Sequence, residues 1–316
     1  MSYLTVGIHQ IDAERYHGDP CEKPSLSSTL AKKMIQQSPL HAWTASSRLN
    51  PNFEPVEKKT FDIGRAAHRV ILGKGEEFSA IPEEYLASNG AASTKAAKDF
   101  IADCRYQNVT PLKQSELDAV YQMANSVRSR LGALGITINP AYSEQVAIAE
   151  IDGVMCRAML DYVPLGEDWM LDIKTTTDAS PEACIKAVQN YAYDVQDAHY
   201  RETWLAASGE RRRFRFCFVE KEPPYEVCVI ELADGDAIMG VKKIARAREI
   251  WGLCLRNNNW PGYPIGIHQV ALSDWYHERW LERESVEADH KRETGKDVYN
   301  RVRDWMAPEN HKRAGE

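Results

Sequence analysis

The most informative pattern of the chain lies near its middle, in Asp161-Tyr-Val-Pro-Leu-Gly-Glu-Asp-Trp-Met-Leu-Asp172-Ile-Lys174. Asp161 falls near the end of one predicted strand, and a second strand is predicted from Trp169 to Lys174. Because strand side chains alternate between two faces, Asp172 and Lys174 should point the same way while Ile173 points into the sheet. The pattern therefore predicts two carboxylates and an ammonium at one spot.

The residues around this stretch predict an α/β (α+β) fold with a mixed central sheet. Asp152-Gly153 is a tight-turn signal that joins two strands into an antiparallel hairpin. Further alternating segments and helical segments follow the Trp169 strand. The predicted strands are 144–151, 154–163, 169–174, 214–220 and 225–232, and the helices among them are 181–207 and 236–257.

The part before residue 140 is predicted to be all-helical. A capped helix over 25–47 should break or kink at Pro39. The other predicted helices are 59–72, 95–104 and 113–134, with a long connection over 75–94. We expect 1–262 to form one domain, made of a helical part (1–140) and a mixed-sheet core (141–262). The extension 263–316 should be partly mobile, with a short aromatic helix at 272–284 and a charged end that is mobile or a solvated helix.

Composition excludes several classes of protein. The chain has 316 residues, of which 43% are hydrophobic, and a formal net charge of −7, which argues against a protein that coats nucleic acid by bulk charge. No stretch approaches the roughly 18 consecutive apolar residues of a membrane helix, and the start lacks a signal-peptide pattern, so we expect a cytoplasmic protein without membrane contact. The seven cysteines are scattered and never form C-x-x-C, which predicts reduced thiols and no zinc or iron-sulfur site.

Carboxylates without thiols or paired imidazoles suit a hard cation such as Mg²⁺ or Mn²⁺. A lysine beside such an ion can stabilise or activate a water that attacks phosphorus, so one interpretation of Asp161, Asp172 and Lys174 is metal-assisted phosphodiester hydrolysis. The alternative is an ordinary surface ion pair between Asp172 and Lys174 at a strand end, worth about 0–1 kcal/mol.

An ordered set of motifs favours the first interpretation. The set comprises Leu26-Ser27-Ser28 to Ser38-Pro39, Gly64-Arg65-Ala66-Ala67-His68, Cys156 to Asp161, Leu171 to Thr176, and Tyr191 to Tyr200. With these residues the sequence resembles the PD-(D/E)XK nuclease superfamily, whose core is restriction-endonuclease-like, and more narrowly the nuclease domain of exodeoxyribonuclease VIII (RecE) and related phage and bacterial exonucleases. The resemblance spans about residues 30 to 200.

The resemblance implies roles for individual residues. His68, Asp161, Asp172 and the backbone carbonyl of Ile173 correspond to metal ligands, and Asp161, Asp172 and Lys174 to the catalytic set, with Lys174 as the catalytic lysine. Gln196 and Tyr200 match a Q-x-x-x-Y element that implies contact with DNA or with the active-site loop. Half-buried helix packing is an equally open interpretation for Tyr193 and Tyr200. Glu144 lies where related nucleases often carry a glutamate, and whether it contacts metal stays open.

The resemblance also implies a function. We expect a Mg²⁺-dependent exodeoxyribonuclease (Mn²⁺ can substitute) that digests linear double-stranded DNA from its 5′ ends and leaves 3′ single strands for recombination. A ring-shaped homo-oligomer and a single-strand annealing recombinase as partner are implied as well. A structure-selective endonuclease and a non-catalytic DNA-binding scaffold on the same fold are the alternatives. Candidate phosphate contacts outside the motifs are the basic runs at 211–215 and 242–248.

Overall fold

The computed structural model describes residues 2–54 and 62–296. Its helices are α1 (Ala13–His17), α2 (Ser28–Gln36), α3 (Pro39–Thr44), α4 (Asp62–Leu72), α5 (Lys95–Tyr106), α6 (Gln114–Ala133), α7 (Pro181–Tyr191), α8 (Tyr193–Ser208), α9 (Asp234–Asn257) and α10 (Asp274–Thr294). Its strands are β1 (Gly7–His9), β2 (Phe78–Ala80), β3 (Thr110–Leu112), β4 (Ser143–Ile151), β5 (Val154–Tyr162), β6 (Trp169–Thr176), β7 (Arg213–Glu220) and β8 (Val227–Glu231). No described helix is long and apolar enough to cross a membrane.

Six strands form one mixed sheet in the order β1-β4-β5-β6-β7-β8. All neighbours are antiparallel except β6 and β7, which run parallel. The parallel pair is connected through α7 and α8, as a crossover between parallel strands requires. The predicted mixed sheet flanked by helices is therefore confirmed.

Helices cover both faces of this sheet. Alternate residues of β6 go to opposite sides: Leu171 and Ile173 pack in a cluster with α4 and α6, whereas Met170 packs in a cluster with Tyr200 and Trp204 of α8. Helices α2 and α9 pack against α8 in turn. The active-site stretch therefore lies on a central strand with a helical layer on each side.

The predicted N-terminal helix pair is present, with its break at Pro39. Ser27 caps α2 through its hydroxyl, which accepts from the Leu30 amide, and Ser38 caps α3 in the same way at the His41 amide. Proline at the first position of α3 needs no backbone donor there. The predicted helix over 59–72 is observed from Asp62, and its predicted start lies outside the described residues.

Two predictions about this part of the chain were wrong. The region before residue 140 is not all-helical, because β1 pairs with β4 at the edge of the main sheet and β2 pairs with β3 in a separate two-stranded sheet. The segment 75–94 is also not a plain connection, since it contains β2 and a 3₁₀ turn at Glu83–Tyr85. Each of these strands has three residues, too short for a period of two to stand out.

The long helix predicted over 181–207 is two helices. Ala192 adopts a left-handed conformation, with φ 48° and ψ 51°, and separates α7 from α8. Alanine is a strong helix former and rarely takes this conformation, so nothing local in the sequence indicates the break. The turn redirects the chain so that α8 runs beneath the active-site strands.

The chain divides into two compact units, Met1–Tyr263 and Pro264–Glu316. In the second unit, α10 extends the helix predicted at 272–284 as far as Thr294, and none of its described residues is buried. Its aromatic residues Trp275, Tyr276 and Trp280 are each more than half exposed. The predicted charged end of the chain lies mostly outside the described residues.

The close packing of α8 on α9 yields a stability prediction. Gly240 of α9 lies so near α8 that a β-carbon there would overlap the carbonyl oxygen of Asp194 and meet the Ala198 β-carbon at 3.4 Å. Gly240→Ala should therefore destabilise the protein by about 1–3 kcal/mol, the usual range for overpacking. Urea unfolding measures the change.

Gly235→Ala is the matched control, because Gly235 lies in the first turn of the same helix with open space around its α-carbon. This variant should be neutral or slightly stabilised, since alanine favours helix over glycine by about 1 kcal/mol. Equal stability of the two variants would contradict the close contact between α8 and α9.

Candidate active site

The centre of the site is the place where β5 and β6 separate. Their register holds a single pair, Tyr162 with Leu171, although both strands continue beyond it. The carboxylate of Asp161 closes the gap, because its Oδ2 accepts the backbone N–H of Ile173 at 2.7 Å. The acid at the end of the hairpin is thereby fixed against the backbone of the D-x-K strand.

His68 reaches this point from α4, more than ninety residues earlier in the chain. Its Nε2 lies 2.9 Å from the carbonyl oxygen of Ile173, and its Nδ1 lies 3.7 Å from Oδ2 of Asp161. The close approach of α4 is aided by Gly64, where a β-carbon would meet the Thr175 hydroxyl at 3.5 Å. The helical N-terminal part therefore contributes directly to the site.

Asp172 and Lys174 lie on the same face of β6, as the alternation predicts. Nζ of Lys174 is 2.5 Å from Oδ2 of Asp172, whose side chain is only 3% exposed. The other oxygen, Oδ1, accepts the side-chain amide of Gln196 of α8 at 2.8 Å. This burial contradicts the alternative of a surface ion pair, because an exposed pair would not remove a carboxylate from water.

Two further residues extend the site. Lys32 was not indicated by the sequence, whereas Tyr193 lies in the motif from Tyr191 to Tyr200. Nζ of Lys32, on α2, donates to Oε1 of Gln196 at 3.4 Å, so that Gln196 links this lysine to Asp172. Lys32 and Lys174 also lie over the same Tyr193 ring, 5.1 and 5.0 Å from its centroid. Helical spacing from Ser28 places Lys32 on the same side of α2, but nothing in the sequence shows which face of α2 meets α8.

Burial dominates the electrostatics of the site. It raises the pKa of Asp161 to about 6, with His68 opposing the rise and Asp172 adding to it. Burial opposes the charge on Lys174, but Asp172, Tyr193 and Asp161 together outweigh it and raise the pKa of this lysine. Burial and repulsion from Lys174 lower the pKa of Lys32 to about 8. Two carboxylates and two lysines thus share a site largely withdrawn from water.

The donor set fits a divalent cation by its chemistry. Two carboxylates, one imidazole and one backbone carbonyl are suitable ligands for Mg²⁺ or Mn²⁺. Oδ2 of Asp172 is buried and lies 2.5 Å from the Lys174 ammonium, so a positive charge already stands on this side of the carboxylate. The position suits a cation, which would also relieve the repulsion between the two carboxylates.

The two carboxylates, the imidazole and the carbonyl are not arranged as a metal centre in this structure. Among residues 2–54 and 62–296, no three His, Cys, Asp or Glu side chains converge as a ready cation site. The imidazole of His68 and the carbonyl of Ile173 are instead hydrogen-bonded to each other. To bind a cation, the His68 imidazole and the Ile173 carbonyl would have to give up this hydrogen bond.

Glu144 lies at the rim of the site. It adopts φ 51°, an uncommon conformation for a residue other than glycine, at the start of β4. Burial raises the pKa of its carboxyl, and the nearby His68 opposes the rise. Gly75 passes so close that a β-carbon there would come 3.1 Å from Oε1 of Glu144. The carboxyl therefore lies close enough to His68 for the two groups to influence each other, at the edge of the site.

Gln196 and Tyr200 are both buried, at 3% and 8% exposure. Gln196 contacts Asp172 rather than solvent. Tyr200 packs edge-on against Phe214 with ring centroids 5.5 Å apart, and its hydroxyl bonds with Ser28. The DNA contact inferred for these two residues stays a prediction, and the structure places them as support for the active-site layer.

Four side chains of the basic runs considered as phosphate contacts are engaged within the protein. Arg213 pairs with Asp168 and Glu231, and Arg215 pairs with Glu231. On α9, Arg248 is buried against Glu202, and Lys243 pairs with Asp194. These side chains neutralise neighbouring carboxylates, so they are poor candidates for a phosphate-binding surface.

A buried histidine behind the site makes stability depend on pH. His199 of α8 is fully buried, its Nε2 lies 3.0 Å from the carbonyl oxygen of Arg157, and burial lowers its pKa to about 4. The unfolded chain takes up this proton near pH 6.5, whereas the folded chain resists it down to about pH 4. Stability should therefore be lost as the pH falls through this window, by about 2 kcal/mol between pH 7 and 5.

Comparing urea unfolding of the parent and His199→Gln at pH 7 and pH 5 isolates this contribution. Glutamine can still donate to the Arg157 carbonyl but does not titrate. The variant should be less stable than the parent at pH 7 and should lose less stability on acidification. An identical loss in both proteins would contradict a neutral, buried His199.

This site lies in a chain that belongs to a nuclease-fold family. Residues 27–269 match the PDDEXK-like domain of unknown function (DUF3799), so the chain is a member of that family and the predicted PD-(D/E)XK class is confirmed. The fold supports a nuclease, a hydrolase of phosphodiester bonds. No curated protein matches the chain closely enough to count as a relative.

Several solved structures that match part of this chain are described as exonucleases. A candidate exonuclease from Eubacterium rectale has a TM-score of 0.53 and 14% identity, over 84% of this chain and 97% of that one. A phage-related exonuclease from Haemophilus somnus 129PT has a TM-score of 0.33 and 10% identity, over 74% and 96% of the two chains. The alkaline exonuclease of Laribacter hongkongensis has a TM-score of 0.25 and 14% identity, over 64% and 97%. Only the first is similar enough to support the fold.

Proposed function

We propose that this protein is a divalent-metal-dependent exodeoxyribonuclease acting on the ends of linear double-stranded DNA. The observation that carries the proposal is the convergence of His68, Asp161, Asp172 and Lys174 at the point where β5 and β6 separate. These residues come from three elements of a PD-(D/E)XK fold. A merely structural ion pair between Asp172 and Lys174 would not require a histidine from α4 beside the Asp161 carboxylate and the Ile173 carbonyl.

In this proposal His68, Asp161, Asp172 and the Ile173 carbonyl hold Mg²⁺, for which Mn²⁺ can substitute. A bound cation polarises the phosphoryl oxygen and makes a water molecule more acidic. The ammonium of Lys174 lies beside Asp172. From there it can bind the attacking water or stabilise the negative charge that develops on the phosphate. Gln196 keeps the Asp172 carboxylate in place through Oδ1.

The finer features of the proposal rest on the motif resemblance. They are digestion from 5′ ends, 3′ single strands as products for recombination, a ring-shaped homo-oligomer and a single-strand annealing partner. A cytoplasmic location and a single nuclease domain over 1–262 belong to the same proposal. A ring that encloses DNA would be compatible with the net charge of −7, because binding of the DNA would then not depend on an overall positive charge.

A direct assay distinguishes this function from its two alternatives. End-labelled linear duplex and closed circular DNA are incubated with the protein and Mg²⁺, with EDTA as the control. Loss of the linear form alone is the expected result. Nicking of the circles would identify a structure-selective endonuclease, and no change in either DNA would contradict nuclease activity. Labelling the 5′ or the 3′ end in separate reactions tests the direction.

A further inference from the structure

Two cysteine side chains meet on the face of the sheet that α7 covers. Cys184 lies near the start of α7, and Cys228 lies on β8. Both pack in the cluster that contains Phe216 and Phe218, and their thiols are hydrogen-bonded to each other. The Cys184 thiol also donates to the carbonyl oxygen of Ala179 at 3.6 Å. Two free thiols are therefore held in contact by the packing of α7 on β8.

Solvent reaches this pair through Cys228. All seven cysteines lie in the described part of the chain, and Cys228 is partly exposed whereas the other six are buried. In the described six-stranded sheet β8 is an edge strand, so one side of Cys228 has no neighbouring strand. Cys184 has no exposed surface. A small oxidant therefore meets Cys228 before it meets Cys184.

The six buried thiols react slowly on their own. Burial raises the pKa of all six, and for Cys156, Cys184 and Cys217 it does so to about 12. Such thiols stay protonated near neutral pH, whereas the thiolate is the form that attacks an oxidant. Exposure and thiolate character together decide which cysteine is oxidised, and both act against these six. Oxidation should therefore begin at Cys228.

Cys217 lies near the pair but belongs to the opposite face of the sheet. Its register partner on β8 is Val229, whereas Cys228 is opposite Phe218. Because successive strand residues alternate between faces, Cys217 packs in the cluster with α4 and α6. Cys184 is therefore the thiol that meets Cys228 within the same layer.

We propose that Cys184 and Cys228 form an oxidation site that closes to an intramolecular disulfide when the protein reacts with a peroxide. The Cys228 thiolate attacks one oxygen of hydrogen peroxide and breaks the O–O bond. This step leaves a sulfenic acid on Cys228 and releases hydroxide, which takes up the thiol proton to form water. The Cys184 sulfur then attacks the Cys228 sulfur, and the hydroxyl group leaves with the Cys184 proton as a second water.

Contact between the two side chains favours this second step, because it converts a reaction between two molecules into one within a single molecule. The disulfide would tie α7 to the edge of the sheet. Its covalent loop runs from residue 184 to residue 228 and contains α8, β7 and Gln196 of the active-site layer. Closing such a loop removes conformational freedom from the unfolded chain, so oxidation should stabilise the fold. This inference does not depend on the proposed nuclease function.

The test is the reaction of the reduced full chain with hydrogen peroxide, followed by thiol titration in denaturant and by peptide mapping. The titratable thiols should fall from seven to five, because two of the seven cysteines become joined. Linked peptides containing Cys184 and Cys228 should be found without reductant and be absent after treatment with dithiothreitol. The midpoint of urea unfolding should rise on oxidation and return on reduction. A linked protein with an unchanged or lower midpoint would contradict the stabilising role.

Single variants separate the two steps. In Cys184→Ala, dimedone should trap the sulfenic acid at Cys228 and no linked peptide should form. Cys228→Ala should lose both the link and the dimedone label. Cys104→Ala is the matched control, because it removes a buried cysteine of α5 outside the pair, and it should form the same link as the parent.

Three results with the parent protein would overturn the inference. The first is a dimedone label at Cys228 without a link to Cys184. The second is a link between other cysteines. The third is the absence of any reaction under conditions in which the peroxide oxidises dithiothreitol.

Discussion

Replacing Lys174 by alanine should abolish DNA cleavage while metal and DNA binding persist. The ammonium lies 2.5 Å from a buried carboxylate and over the Tyr193 ring, so its position is fixed at the reacting centre. Loss of one positioned charge-stabilising or proton-transfer group typically lowers kcat by about 10²–10⁴-fold. Single-turnover cleavage of end-labelled duplex at saturating Mg²⁺ measures the effect.

Lys98→Ala is the matched control for this variant. Lys98 is an exposed lysine of α5, outside the described active site and outside the basic runs, and its removal should leave the rate unchanged. Fluorescence anisotropy with the same duplex checks that Lys174→Ala still binds DNA. Cleavage by Lys174→Ala at the parental rate would show that the D-x-K lysine has been assigned wrongly.

Asp172→Asn should lose both activity and metal binding. Asparagine keeps the shape of the side chain and can still bond Gln196, but it removes the negative charge that a cation and Lys174 both require. Isothermal titration with Mn²⁺ should show no binding at concentrations that saturate the parent. Asp172→Ala should give the same loss of metal, with an additional cavity beside the buried Gln196.

The control for the charge change is Asp168→Asn. Asp168 directly precedes the same strand, four residues before Asp172, but its side chain is 66% exposed and pairs with Arg213. This variant should bind Mn²⁺ with parental affinity. Parental Mn²⁺ stoichiometry in Asp172→Asn would contradict the role of Asp172 as a ligand.

Much of the sheet could be predicted because its strands are long enough to show their period. The hairpin of β4 and β5 follows from Asp152-Gly153 between alternating segments, and β6 follows from the apolar run that contains Asp172. Alternation also places Asp172 and Lys174 on one face, as observed. The three-residue β1 has no such pattern, and its pairing with β4 is settled only by tertiary contact.

The site itself was only partly predictable. The motif order associates His68 with Asp161 and Asp172, but no local rule brings together residues so far apart in the chain. Lys32 was missed because its role depends on how α2 packs against α8. The break at Ala192, which separates α7 from α8, runs against the helix propensity of alanine.

The charge pattern of the sequence was the least informative guide to the functional residues. Basic runs suggested a phosphate-binding surface at Arg213 and Arg215, yet both are neutralised by Glu231 and Asp168. The two lysines that contact the active-site layer, Lys32 and Lys174, stand in no basic run of the kind that suggested these arginines. Runs of charge show where charges occur in the chain, whereas function depends on which charges the fold withdraws from water.

The most direct test of the account is the position of Mn²⁺ in crystals of the protein soaked in that ion. The account predicts an anomalous difference peak within bonding distance of Asp161, Asp172 and the Ile173 carbonyl, with the His68 imidazole turned toward it. The hydrogen bond between His68 and Ile173 should be lost in the same map. A crystal saturated with Mn²⁺ in which the only peaks lie elsewhere, and His68 keeps its bond to Ile173, would contradict the proposed metal-dependent nuclease site.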